Sequence, residues 1–234
     1  MSKFDRLSVY AVLLASGLAL FACRGRQTKD KYTDTATSGF ISISADESFR
    51  RIVQQEIDVF ESIYTMAGID PIYASEVDAI NLLLKDSVRL TVSTRRLTDA
   101  EKAEKKFFPK EFKVASDAIA LIVNRQNPDS IISLKDLSRI LTGEVTEWSE
   151  LYPGSKLGKL QLVFDNPNSS TVRYAIDSIC RGRPLAGSLH AQKSNAEVID
   201  FVAQSPSAIG VIGVSWVGSE SDSTNLSFSD RVTV

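Results

Sequence analysis

The sequence contains few of the residues on which covalent cross-linking, metal binding and histidine-based catalysis depend. Among its 234 residues are two cysteines, Cys23 and Cys180, and a single histidine, His190. No histidine and aspartate residues cluster at the spacing of a metal site, and the chain has no G-x-S-x-G nucleophile turn. It also lacks the G-x-x-x-x-G-K-[ST] loop of a nucleotide hydrolase. We therefore expect no enzymatic activity, no cofactor and no bound metal.

The sequence also lacks an excess of charge of one sign. Its 27 lysine and arginine residues are balanced by 29 aspartate and glutamate residues, which gives a formal net charge of −2 at pH 7. Basic residues form short clusters, such as residues 102–106, and no continuous basic stripe. Nucleic acid is therefore not an expected partner.

An apolar run near the amino terminus is too short for a permanent membrane span. It extends from Leu7 to Ala22, follows two basic residues, and ends directly at Cys23. A spanning helix needs about 20 apolar residues to cross the bilayer core. A basic start and a short apolar stretch before a cleavage site are typical of a signal peptide. Residues 1–22 are therefore predicted to be removed on export.

The residues around the predicted cut, Leu20-Phe21-Ala22-Cys23, resemble the lipobox of bacterial lipoproteins. In that motif the cysteine receives lipid, and the acyl chains anchor a water-soluble domain to a membrane. We expect lipid on Cys23 and a location in the cell envelope, on the extracytoplasmic side. Cys180 would then be the remaining thiol, which excludes an internal disulfide. Residues 23–38 are otherwise polar and are predicted to form a flexible tether.

Strand patterns recur along the rest of the chain. The predicted strands are residues 39–44, 70–74, 88–92, 118–123, 160–164 and 209–214. Each of the first three is followed by a stretch with apolar residues at helical spacing. This β-α-β-α-β-α order predicts an α/β fold with a mainly parallel sheet and flanking helices.

Short hydroxyl-rich turns join the ends of predicted strands to the starts of helices. They lie at residues 47–49, 74–75, 93–95 and 168–171. Each turn can direct backbone N–H groups, a helix dipole and a side-chain hydroxyl at one small anion. A single such turn is typical of ordinary helix capping, but in a parallel sheet turns of this kind meet at one edge. Their convergence predicts a site for a compact oxyanion.

Arg95 follows two hydroxyl residues at the end of the third predicted strand. A guanidinium at this position would supply positive charge and a forked pair of donors for phosphate or sulfate. The alternative is a surface arginine that pairs with an aspartate or a glutamate. The residues alone leave both interpretations open.

Residues 114–128, VASDAIALIVNRQNP, and residues 133–151, SLKDLSRILTGEVTEWSEL, resemble the substrate-binding proteins of phosphate ABC transporters. In that family an apolar strand ending in Val-Asn precedes a helix, the phrase Ile-Phe-Thr-Gly and a tryptophan. Here Ile140-Leu141-Thr142-Gly143 and Trp148 match. Residues 93–97, STRRL, 168–171, NSST, and 208–213, AIGVIG, resemble further motifs of the same family in the same order.

The resemblance implies a two-lobed fold like that of type II periplasmic binding proteins. Residues 39–115 and 215–234 would form lobe 1, and residues 116–214 would form lobe 2. The chain would be a monomer that captures phosphate or a similar oxyanion between the lobes for an ABC transporter permease. Matching of motif positions gives the expected oxyanion ligands, which are Ser48, Phe49, Ser75, Thr94, Arg95, Ser169, Ser170 and Thr171.

Two features depart from the family pattern. Many members carry an arginine four residues before the serine of their Gly-Ser-Gly-Thr motif, whereas this sequence has Asp165 there. Family members also continue with further strands and helices, whereas here the alternation stops after Val217, which is expected either of a shortened member or of a fragment. An envelope sensor or adhesion protein with a degenerate site is therefore an alternative, and a phosphate-ester hydrolase is a weaker one.

Overall fold

A computed structural model describes residues 34–105, 109–187, 189–218 and 230–234. The predicted signal peptide, the expected lipidation site Cys23 and most of the predicted tether lie outside these ranges. Within them, no helix is both long enough and apolar enough to cross a membrane.

The first lobe alternates strictly between strands and helices, as the sequence predicts. Its elements are β1 (Ser38–Asp46), α1 (Arg50–Ile63), β2 (Met66–Ala74), α2 (Glu76–Leu84), β3 (Leu90–Val92) and α3 (Asp99–Lys105). The strands form a parallel sheet in the order β2-β1-β3. Helical connections allow this direction because a parallel pair needs a long crossover between its strands.

The second lobe is built around a larger sheet. Its elements are β4 (Ile119–Asn124), α4 (Leu134–Leu141), β5 (Gln161–Phe164), α5 (Ser170–Tyr174), a π-helical turn (Ala175–Ile179), β6 (His190–Ala191), α6 (Asn195–Gln204), β7 (Ala208–Gly213) and β8 (Val232–Thr233). The strand order is β6-β5-β7-β4-β8. The predicted α/β architecture with flanking helices is confirmed in both lobes.

The second sheet is mixed, which corrects the expectation of mainly parallel strands there. Strands β5, β6 and β7 run parallel, but β4 pairs antiparallel with both β7 and β8. β4 is the strand with which the chain enters this sheet from the first lobe. No strand-helix-strand crossover within the sheet precedes β4, so the usual constraint to a parallel direction does not act on it.

The carboxyl-terminal strand also differs from its predicted place. Residues 215–234 were expected in lobe 1, yet β8 pairs with β4 at the edge of the second sheet, with Val232 opposite Asn124. Val232 is buried in an apolar cluster of the second lobe, and burial of its side chain favours this pairing. Residues 219–229 lie outside the described ranges.

Hydroxyl side chains begin several of the helices. Ser75, Ser133 and Ser194 each accept a hydrogen bond from the backbone N–H three residues later, at the starts of α2, α4 and α6. Such caps satisfy backbone donors that have no partner within the helix. α4 ends at Leu141, and Gly143, two residues later, has a φ of 77°, which suits a residue without a side chain.

Apolar clusters cover both faces of the second sheet. One cluster contains the fully buried Trp148, whose indole N–H donates to the Ser207 carbonyl oxygen at 2.9 Å. The other lies between the sheet and α6. There α6 packs directly on β7, because Gly210 presents no side chain to Val198 and Val202.

Gly210→Ala tests this close approach. An added Cβ would lie 2.7 Å from Ile122 Cγ1 and 2.8 Å from Val198 Cγ1. Overpacking of this kind costs about 1–3 kcal/mol, so the free energy of unfolding in urea should fall by that amount. The matched control is Gly187→Ala, where a Cβ meets no heavy atom within 4 Å; equal effects of the two substitutions would contradict this packing.

Candidate functional site

Polar turns of the two lobes face each other. The carboxyl ends of β1 and β2 lie at one edge of the first sheet because these strands are parallel. The carboxyl end of β5 and the start of α6 face them from the second lobe. We define the interlobe site as the residues gathered there, which are 46–49, 74–76, 93–95, 165–173 and 195.

Direct hydrogen bonds show that the lobes touch at this site. Asn195 at the start of α6 donates through Nδ2 to Glu47 Oε2 at 2.6 Å, and its backbone N–H donates to the same oxygen at 3.2 Å. The Trp216 indole N–H donates to the Ser48 carbonyl oxygen at 3.0 Å. The turn after β1 is therefore held in place by Asn195 and by Trp216, which follows β7 of the second sheet.

The hydroxyl turn after β5 surrounds Asp165. Thr171 Oγ1 donates to Asp165 Oδ1 at 2.6 Å, and Ser169 Oγ lies 2.7 Å from Thr171 Oγ1. Asn195 Nδ2 lies 3.4 Å from Asp165 Oδ2. Burial raises the pKa of Asp165, while hydrogen bonds from Thr171 and Ser169 act in the opposite direction. The Asp165 carboxyl group therefore lies among the polar groups of the site.

Asp46 is a second buried carboxyl group in the site. It is fully buried at the end of β1, where Oδ1 accepts a hydrogen bond from Ser48 N at 3.0 Å. Burial raises the pKa of Asp46 to about 6; the Ser170 hydroxyl and the Ser48 N–H oppose this shift, and the negative charges of Asp165 and Glu76 add to it. Asp46 is thus close to accepting a proton at neutral pH.

Three buried side-chain atoms of this region lack a hydrogen-bond partner. Within the described ranges they are Asp46 Oδ2, Glu47 Oε1 and Ser48 Oγ. Ser48 is 1% exposed. A buried hydroxyl without a partner is uncommon and costs free energy until one is supplied.

The strongest interlobe contact joins Arg173 to Glu76. Arg173 Nε lies 2.6 Å from Glu76 Oε2, and Arg173 Nη2 lies 3.3 Å from Glu76 Oε1. Thr94 takes part from the end of β3: its N–H donates to Glu76 Oε1 at 3.1 Å, its hydroxyl donates to the same oxygen, and it accepts from Arg173. Burial raises the pKa of Glu76, but the hydrogen bonds from Arg173 and Thr94 prevail and hold it below its ordinary value.

Arg95 forms the surface ion pair that the sequence left open as an alternative. Its Nη1 and Nη2 lie 2.9 Å and 2.8 Å from the two carboxylate oxygens of Glu101. The hydrogen bond from Arg95 is the main cause that lowers the pKa of Glu101 to about 2. Glu101 also accepts from Thr98 at the start of α3. Arg95 is therefore held within the first lobe.

A cavity of about 190 Å³ lies beside these ion pairs. Charged residues of both signs line it: Arg95 and Arg173, which come from opposite lobes, and the carboxylates Glu76 and Asp177. Asn168 and Ser169 add polar groups, and apolar residues, among them Val77 and Pro167, complete the wall. Each arginine of the lining is also paired with a carboxylate, Arg95 with Glu101 and Arg173 with Glu76.

The predicted ligand residues fall into two groups. Ser48, Thr94, Ser169, Ser170 and Thr171 come together at the interlobe site, as the hydroxyl pattern predicts. Ser75 lies at the same edge, but its hydroxyl caps α2 and donates to Asp78 Oδ2 at 2.6 Å. Arg95 lines the cavity and is bound to Glu101, and Phe49 is half-buried at the start of α1.

Three carboxylates of the site, Asp46, Glu47 and Glu76, and the amide of Asn195 were not predicted. Asp46 and Glu47 closely follow the predicted strand at residues 39–44, and Glu76 directly follows Ser75. Their positions near strand ends could have indicated that they lie at the site. Arg173 is not among the predicted ligand residues either. Among the described residues, no group of three or more carboxylate, histidine or cysteine side chains is arranged to hold a metal ion.

Curated relatives of the chain are phosphate-binding proteins. The PstS protein of Bacillus subtilis is 26% identical over 220 residues, which cover 89% of this chain and 71% of that protein. PstS 2 of Streptococcus agalactiae is 23% identical over 120 residues, which cover 51% of this chain and 40% of that protein. The chain thus spans less than half of the streptococcal relative's length.

Solved structures share the fold at low sequence identity. A Clostridium perfringens protein whose crystal structure contains bound phosphate superposes with a TM-score of 0.70 at 22% identity, over 83% of this chain and 74% of that one. An ABC-type phosphate transport receptor from Vibrio cholerae gives a TM-score of 0.57 at 21% identity, over 83% and 75% of the two chains. A family model described as the PBP superfamily domain matches residues 30–234, and the chain belongs to this superfamily.

Proposed function

We propose that the chain is an extracytoplasmic receptor, anchored through lipid on Cys23, that binds phosphate between its two lobes as a monomer and delivers it to an ABC permease. The observation that carries the proposal is the meeting of hydroxyl-bearing turns from both lobes at one site. The matched relatives and the solved structure with bound phosphate support the choice of ligand. Anchoring and export rest on residues 1–23, which lie outside the described ranges.

The donors of the site suit a small oxyanion. Ser48 Oγ is buried and has no hydrogen-bond partner among the described residues. The Arg95 and Arg173 guanidinium groups line the adjoining cavity from opposite lobes. A ligand that binds both sides favours the closed arrangement of the lobes, which a membrane partner can recognise.

The acceptors of the site favour phosphate over sulfate. Asp46 and Asp165 are buried there, and a fully charged anion is repelled by ionised carboxylates. Phosphate near neutral pH carries at least one proton, so its O–H group can donate to Asp46 Oδ2, which accepts no hydrogen bond from the described residues. Sulfate has no such proton. The receptor should therefore discriminate between the two anions through a carboxyl acceptor.

The pairing of the cavity's arginines favours the alternative of a sensor or adhesion protein. Both arginines of the cavity are already paired, Arg95 with Glu101 and Arg173 with Glu76. A sensor or adhesion protein that keeps the lobes without a ligand would show this internal neutralisation. It predicts that no anion stabilises the fold.

Titration calorimetry of residues 24–234 with phosphate and with sulfate tests the proposal, and thermal unfolding adds an independent measurement. We expect heat and a raised unfolding midpoint with phosphate alone, because ligand at 100 times its Kd adds about 2.7 kcal/mol to the free energy of unfolding. Ser48→Ala should weaken phosphate binding about tenfold and leave stability almost unchanged, since Ser48 Oγ makes no hydrogen bond within the described protein.

The matched control for Ser48 is Ser133→Ala. Ser133 caps α4 through its hydroxyl, so its loss should cost about 1 kcal/mol of stability and leave phosphate affinity unchanged. A well-folded protein that binds neither anion would move the assignment to the sensor or adhesion alternative.

Asp46→Asn tests the buried carboxyl group. With a pKa of about 6 in the folded protein and about 4 in the unfolded chain, Asp46 binds more protons in the folded state between these values. The free energy of unfolding therefore falls as pH rises through this window. Asparagine keeps an acceptor for Ser48 N without a charge, so the variant should gain on the order of 2 kcal/mol at pH 7.5 and little at pH 4. Urea unfolding at both pH values measures this, and an equal gain at both would refute the buried charge.

A further inference from the structure

The Glu76 carboxylate accepts hydrogen bonds from a set of donors that resembles an oxyanion-binding site. It accepts from Arg173 Nε at 2.6 Å, from Arg173 Nη2 at 3.3 Å and from Thr94 N at 3.1 Å. The Thr94 hydroxyl donates to it as well. A forked guanidinium, a backbone N–H and a hydroxyl are the donors with which proteins bind phosphate.

Glu76 is charged in this position. Its side chain is 1% exposed, and although burial raises its pKa, the hydrogen bonds from Arg173 and Thr94 bring it below the ordinary value. The carboxylate is therefore ionised at neutral pH. It presents a pair of negative oxygens to Arg173, as a phosphate would.

Arg173 is accessible from the cavity. Its side chain is 35% exposed, and it lines the space of about 190 Å³ together with Ser169 and Asn168. Its Nη1 lies 3.5 Å from Asp177 Oδ2, an exposed carboxylate. An anion in the cavity can thus reach the guanidinium without unfolding any element.

We propose that Glu76 competes with the anion for Arg173 and Thr94, so that phosphate binds by displacing this carboxylate from its interlobe ion pair. The inference rests on the proposed function and extends it. It makes Arg173 the main cationic contact of the ligand and Glu76 the residue that sets the affinity. It also couples binding to the lobes, because Glu76 and Arg173 belong to different ones.

Arg95 is less suited to this exchange. Its partner Glu101 also accepts from the Thr98 N–H at 2.7 Å and from the Thr98 hydroxyl at 2.9 Å, and so completes the start of α3. Displacement of Glu101 would therefore cost a helix cap as well as an ion pair. Both partners lie in the first lobe, so their separation would leave the contact between the lobes unchanged.

Calorimetric titration of residues 24–234 with inorganic phosphate tests the competition. Glu76→Gln keeps an acceptor oxygen for Thr94 and removes the charge that holds Arg173, so we expect phosphate to bind about tenfold more tightly. Glu144→Gln is the matched control, since it removes a carboxylate that pairs with Arg183, and neither residue lines the cavity. Its phosphate Kd should stay within about twofold of the parent value.

The contribution of Arg173 to phosphate binding is measured in the Glu76→Gln variant, so that the protein stays folded. Arg173→Gln alone leaves Glu76 buried and ionised without its partner, which destabilises strongly. The double variant Glu76→Gln with Arg173→Gln removes both charges. We expect it to bind phosphate at least about tenfold more weakly than Glu76→Gln alone, and affinity that is equal in these two variants would overturn the role of Arg173.

The outcomes separate the inference from the proposed function. If the parent chain binds phosphate and Glu76→Gln binds no more tightly, the competition is wrong and the receptor assignment stands. If the parent and Glu76→Gln both fail to bind while remaining folded by thermal unfolding, both proposals fail. Binding that appears only in Glu76→Gln would support the competition, and it would show that the parent cleft is closed by its own carboxylate.

Discussion

The ion pair between Arg173 and Glu76 is the contact on which the relation of the two lobes depends. It joins α5 to the start of α2 at 2.6 Å, with Glu76 almost fully buried. A buried pair of this kind gives little net stability compared with apolar packing, but removal of one partner is costly because the other charge is left without compensation. The pair therefore specifies one arrangement of the lobes more than it stabilises the fold. Any anion that reaches Arg173 must therefore compete with the Glu76 carboxylate for it.

The rest of the site contains more buried carboxylates than positively charged groups. Asp46, Glu47 and Asp165 are buried close together, and the hydrogen bonds that they accept come from amide and hydroxyl groups. Asn195 is central, because its Nδ2 reaches both Glu47 and Asp165 and its Oδ1 accepts from Gly213 N at 3.0 Å. Asp46 Oδ2 and Glu47 Oε1 accept no hydrogen bond from the described residues, and Arg50 forms an ion pair with Glu47 at 3.7 Å. The site therefore suits a ligand with an O–H group that can donate a hydrogen bond to a carboxylate.

Local sequence features predicted much of the fold. Alternating and apolar strand patterns and hydroxyl-rich turns marked elements of both lobes, because these signals depend on neighbouring residues. The antiparallel direction of β4 and the pairing of Val232 with Asn124 were not predictable in this way. They depend on which sheet edge is available once the lobes have formed, and local periodicity carries no information about it.

The convergence of the hydroxyl turns was predicted, and the role of their residues as anion ligands stays a prediction. Hydroxyl turns at strand ends do meet, since parallel strands bring their carboxyl ends to one edge. The pairing of Arg95 with Glu101 could not be decided from the residues, because a guanidinium binds a carboxylate and a phosphate with the same geometry. The role of Glu76 was missed because its partner, Arg173, lies 97 positions away in the chain.

A crystal structure of residues 24–234 grown with phosphate tests the central claim most directly, because it locates the anion relative to Arg173 and Glu76. The account predicts phosphate between the lobes, bound by Arg173, Thr94 and Ser48, with the Glu76 carboxylate moved out of contact with the guanidinium. Phosphate bound elsewhere, or bound with the Arg173–Glu76 pair unchanged, would contradict it.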